Sequence, residues 1–248
     1  LAAVRHARVA VDQQPGFPGY HALLAMSYWY AGFFSLAYRA NRTYQKLDPE
    51  GSVQFPVSQE IETVHQAALD EIAERYGLAG REAAGQAAYH MDLGRWALND
   101  AHYRDALRES RVAARLAPTW PTPRNNATLA LFFLGQVSAS QREAQDVLAH
   151  LDPENVHALA NLSRCQLALG MRDEAVAAGQ QLAALPLPFA PDDAVKLIEG
   201  LGLLDLDQLV AERVSLLRKG KVERPILHLY GWIATRLYKP VHNLLQLL

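Results

Sequence analysis

One cysteine, Cys165, stands in 248 residues, so no intramolecular disulfide can form and a reducing compartment fits the chain best. No HExxH, no CxxC and no glycine-rich phosphate loop occurs, so the common signatures of zinc hydrolysis and nucleotide binding are missing. Charge of one sign is also lacking. The 24 basic and 26 acidic residues leave a formal charge of −2, with no basic excess to neutralise a phosphate backbone, which disfavours nucleic acid as a partner. No secretory pattern of basic n-region, apolar core and cleavage site is seen, and the expected location is cytoplasmic.

What is present is apolar surface in quantity. Half the residues are hydrophobic and 20% are charged, enough to bury a continuous core and to exclude a disordered chain. The stretch from Pro18 to Tyr38 carries no Asp, Glu, Lys or Arg and has the length of a membrane span. It also divides at Ala31-Gly32 into two buried hairpin helices, and that reading fits the spacing of the rest of the chain. No membrane insertion is expected.

That spacing is visible in four prolines. Pro15 and Pro49 are 34 residues apart, Pro49 and Pro118 are 69 apart, and Pro118 and Pro153 are 35 apart. A proline just after a helix cannot continue it and biases the preceding residue out of the helical region, so each marks a link between hairpins. Between them, Leu93-Gly94 lies on one helix, Tyr103-x-x-Ala106 opens the next, Ala113 to Pro118 closes it, and Asn125 to Gly135 begins again. A helix-turn-helix unit of this length, with small residues at the crossings and a terminal proline, resembles the tetratricopeptide repeat.

The resemblance implies an all-α, right-handed superhelical solenoid of hairpins running through residues 1–248 as a single array. Repeats occupy 1–49, beginning with a helix from Leu1 to Asp12 whose small face is Ala3, Ala7 and Ala10. Residues 50–80 are irregular: a loop by turn chemistry, then a long acidic helix, Val57 to Tyr76, with Ile61, Val64, Ala68, Ile72 and Tyr76 as its apolar stripe. Three clearer repeats fill 81–185. Divergent hairpins follow in 186–248 and are cut off at the end.

Candidate chemistry is sparse. Glu62-x-x-His65 puts a carboxylate and an imidazole on one helical face, and His150 and His157 flank Asp152-Pro153-Glu154, but a metal site needs three or four convergent ligands, so these read as surface histidines and no cofactor is expected. Cys165 sits mid-helix and reads as core. Asn41-Arg-Thr43, Asn126-Ala-Thr128 and Asn161-Leu-Ser163 match the glycosylation acceptor pattern within helices and read as chance matches.

The more informative series is Asp92, Asn126 and Asn161, 34 and 35 residues apart, with Arg95 and Arg164 one turn after the first and last. In the repeat family, first helices line a concave groove that binds extended peptides through asparagine amides and basic side chains. The resemblance therefore implies a non-enzymatic scaffold for a protein or peptide, with Asp92, Arg95, Asn126, Asn161 and Arg164 as peptide-binding residues, and Asn126 and Asn161 are expected to face solvent in the free protein. A solvated polar face explains the same series. The lysines of the family's chaperone-tail clamp are missing, and Asp92 departs from it. The rival reading is a regulatory or positioning domain of a larger enzyme, and a third is self-association through the solenoid ends.

Overall fold

The hairpin turns are made by residues that accept a left-handed backbone. In the computed structural model, which describes residues 1–53 and 55–184, Gly32, Gly135 and Gly170 have φ of 74°, 78° and 76°. Each stands just past a helix end, where the absence of a Cβ lets the chain fold back on the last carbonyls. The following residue closes the turn with the same six-to-one bond every time: Phe33 N–H to Tyr28 O (2.9 Å), Gln136 to Leu131 (2.9 Å) and Met171 to Gln166 (2.9 Å). His102 N–H makes it to Ala97 O at 2.8 Å, although the left-handed residue there is Ala101, with φ of 59°. Ala101 lies 69 residues after Gly32 and 34 before Gly135, so the turn keeps its register where the glycine is lost.

The elements these turns separate are α1 (Ala2–Gln13), α2 (Pro18–Tyr30), α3 (Phe34–Leu47), α4 (Pro49–Val53), α5 (Pro56–Tyr76), α6 (Arg81–Asn99), α7 (Tyr103–Leu116), α8 (Pro121–Phe133), α9 (Val137–His150), α10 (Val156–Ala168) and α11 (Arg172–Ala184). No strand occurs among the described residues. Helices adjacent in sequence pack in pairs, most extensively α2 with α3, α6 with α7 and α10 with α11. No described helix is long and apolar enough to cross a membrane. The hairpins expected in 186–248 lie outside the described residues. The chain divides into two compact units, Leu1–Ala130 and Leu131–Leu248.

In the first unit, small residues set the helix crossings. Ala25 on α2 and Ala37 on α3 are both fully buried, as are Ala84, Ala87 and Ala106 along α6 and α7. The closest approach is at Gly94, where an added Cβ would lie 2.6 Å from Ser110 Oγ and 3.2 Å from the Ser110 backbone nitrogen. Only hydrogen fits there. Aromatic rings fill the wider space: Tyr28, Phe33 and Trp96 meet edge to face at centroid distances of 5.8 to 6.2 Å.

The irregular region is ordered by α5, which packs on both α3 and α6. Its start is clasped to α3: Asn41, fully buried, donates to Ser58 O (3.0 Å) and accepts from Ser58 Oγ (2.8 Å). Its end stacks Tyr76 on Trp120 (5.6 Å, 24°), and Thr119 Oγ1 donates to Tyr76 O (2.7 Å). Gly77 closes it in the left-handed region, with φ of 64°.

Three local expectations need correction. The segment after Asp48 opens with the short helix α4, because Asp48 Oδ1 accepts from Gly51 N (2.9 Å) and Pro49 suits a first turn, a helix-start signature. On α1 the buried face is Val4 and Ala7, with Val11 beside them, while Ala3 is exposed. Ala7 keeps its place, and Val4 and Val11 replace Ala3 and Ala10 beside it because valine has more apolar area to bury than alanine. On α5, Val64 is exposed and His65 and Leu69 are buried, because His65 stacks on Tyr38 at 4.2 Å. His65 is therefore a core residue, not a surface one.

In the second unit, α10 packs on α9 and α11. Asn155 caps α10 by accepting from Ala158 N (2.9 Å). Cys165 is fully buried, as its mid-helix position suggests, and donates to Ser140 Oγ on α9 at 3.1 Å. Burial pushes its thiol pKa up, which removes nucleophilic character.

Candidate functional site

The polar series on the first helices is where recognition was expected, and each member has its own surroundings. Asp92 on α6 is 2% exposed. Its Oδ2 accepts from Ser35 N (2.8 Å), at the first turn of α3, so an α6 side chain caps the second helix of the preceding hairpin. Burial pushes its carboxyl up to about 6, against the opposing pull of Arg95 and of the Ser35 and Leu36 N–H groups.

Arg95 completes the joint. Its Nη2 donates to Gly32 O in the turn and lies 3.4 Å from Asp92 Oδ1, and its guanidinium sits 4.3 Å over the Phe33 ring. Asp92 and Arg95 together bind the α2–α3 turn to α6. Asp92 is thereby closed off from solvent, whereas Arg95 stays partly exposed, its Nη2 spent on the turn and its shielded Nε without a partner.

In the second unit, Asn161 is 7% exposed and accepts from Arg164 Nη1 at 2.6 Å. Arg164 stands 6.0 Å from the Phe132 ring centroid. The expected solvent-facing asparagine is buried beside its own arginine.

Asn126, on the part of α8 in the first unit, differs. It is half-buried, and its Nδ2 is shielded from solvent without a hydrogen-bond partner. A buried donor left unpaired costs about 1–3 kcal/mol.

Elsewhere in the first unit, a cavity of about 430 Å³ lies between α1 and the α6–α7 hairpin, with Trp96 in its wall. Much of its charge is already paired. Arg5 donates to Asp100 (2.7 Å), Arg108 reaches Asp105 (2.8 Å) and Glu109 (2.9 Å), and Glu109 also meets His90 Nδ1 (2.8 Å). Among the described residues, no group of three or more His, Cys, Asp or Glu converges as metal ligands would. No family model matches the chain, and no curated protein matches it in sequence.

Proposed function

We propose that the chain is a scaffold of tetratricopeptide-like hairpins, wound as the right-handed solenoid such repeats form, and that it holds a protein or peptide segment rather than catalysing a reaction. The observation that carries this reading is the unpaired amide donor of Asn126. In the register it shares with Asp92 and Asn161, those two bond within the protein, whereas the shielded Asn126 Nδ2 group has no partner, and a side-chain rotation that exposes it would offer its N–H to a carbonyl. Recurrence of one turn closure at Phe33, His102, Gln136 and Met171 supports the repeat itself.

A main-chain carbonyl is the acceptor every peptide supplies, so the segment is held through its backbone, with sequence preference set by its flanks. Asn126→Leu removes the donor while keeping a side chain of similar size. Affinity capture with the wild-type chain as bait should retain a defined protein partner, and Asn126→Leu should release it at unchanged helicity. Equal retention by both baits places recognition elsewhere on the surface, and retention of nothing by the wild type refutes the scaffold reading.

A further inference from the structure

Helix α5 changes partners along its length. Ile61 belongs to the hydrophobic cluster built on α2 and α3, and Leu69 to the cluster built on α6. His65 stands between them, one turn from each, and at this seam a cavity of about 320 Å³ opens between α3, α5 and α6. That is the lower end of the range of small-molecule sites. Tyr38 and His65 form one wall, stacked at 4.2 Å and 24°. Gly85 on α6 adds backbone only, so the space beside Leu69 stays open.

The rim has an unspent charge. The Arg39 guanidinium lies over the Tyr89 ring, its carbon 3.4 Å from the centroid, and no described carboxylate lies within ion-pair distance of it. Arg81, on the α6 side, is taken by Asp70. Contact with Tyr89 anchors an otherwise exposed guanidinium at the rim, and a guanidinium can receive a carboxylate through two parallel N–H bonds.

We propose that this crevice binds a small planar carboxylic acid of one or two aromatic rings, its rings against the Tyr38–His65 wall and its carboxylate on Arg39. This goes beyond the scaffold reading, since the ligand is a small molecule and the residues are not those of the polar series. Glu82, also on the rim, opposes the anion and moderates affinity.

Burial and the Arg39 charge hold the His65 imidazole down to about 4, with Glu62 acting the other way. The charged groups around it are Arg39 from α3, Glu62 from α5, and Arg81 and Glu82 from α6. A carboxylate on Arg39 offsets the cation nearest the ring, so occupancy should raise the His65 titration midpoint.

The test is an NMR titration of the full chain with 2-naphthoate and, separately, 2-naphthamide. Naphthoate should give saturable shifts at Tyr38, His65 and Gln86, at least tenfold tighter than the amide. It should also move the His65 C2–H midpoint upward. Arg39→Gln, at unchanged helicity, should reduce the acid to the amide's affinity and abolish the His65 shift, and Glu82→Gln should tighten the acid several-fold. Equal binding of acid and amide, unchanged binding by Arg39→Gln, shifts mapping away from the crevice, or no saturable binding at millimolar naphthoate would each overturn the proposal.

Discussion

Asp92→Asn should expose a pH dependence that two buried groups cancel in the native protein. The Asp92 carboxyl is pushed up to about 6, against about 3.9 in an unfolded chain. A raised value means the folded state binds its proton more tightly, so Asp92 contributes stability that is present below about pH 4 and lost as pH rises through 6. His65 has the opposite sign. Its imidazole is held down to about 4, against about 6.5 unfolded, so its contribution is present above pH 6.5 and lost as pH falls through 4. Each shift is roughly 2 to 2.5 pH units, or on the order of 3 kcal/mol. From pH 6.5 to 4 the two changes oppose each other.

Urea unfolding followed by helical circular dichroism, at half-unit steps from pH 4 to 7, separates them. Relative to wild type, Asp92→Asn should lose roughly 3 kcal/mol on acidification across that window, and His65→Gln should gain a similar amount. Loss of the Arg95 contact in Asp92→Asn gives only a constant offset, because Arg95 keeps its charge throughout. The other carboxylates contribute equally to all three proteins and drop out of the differences. Parallel profiles for Asp92→Asn and wild type would show that Asp92 is ionised in the fold over the whole range, and the burial argument would fail.

Three further outcomes follow from the packing. Ala101→Gly should stabilise by about 0.5–1 kcal/mol in chemical denaturation, because a left-handed alanine costs about 1–2 kcal/mol and glycine's added unfolded freedom returns part of that. Gly94→Ala should destabilise by about 1–3 kcal/mol, and Ser110→Ala in the same chain should restore only part, since the Ser110 backbone nitrogen stays 3.2 Å from the new Cβ. Asn126→Leu should leave the melting temperature equal or higher, because an unpaired buried donor is removed without a hydrogen bond being lost.

The turns were the most legible feature. The division at Ala31-Gly32 reads from the sequence, and Gly32 is left-handed, because a period of 34 or 35 residues must be closed at fixed places. Ala101 gave no such signal, since alanine rarely takes that conformation and only the bonds around it reveal the turn. Which face of a helix is buried was less legible on α1 and α5. Alanines and valines alternate along α1, and the stacking that buries His65 depends on Tyr38, 27 residues away in sequence.

The polar series was visible, but most of its intramolecular role was not. Spacing shows that Asp92, Asn126 and Asn161 share a register and cannot show that a helix N-terminus lies opposite Asp92. Likewise the Asn41–Ser58 clasp joins an apparent glycosylation match to a loop-flanking serine, and no local pattern connects them.

The central claim is that Asn126 holds an unused donor for a bound segment, and the side-chain amide signals of Asn126 test it most directly. In the free chain, with Asn126 side-chain nitrogen labelled, the Nδ2 protons should resonate where unbonded amides do. Adding the captured partner segment should move one of them downfield. An Asn126 amide unchanged at saturation with that segment would contradict the account.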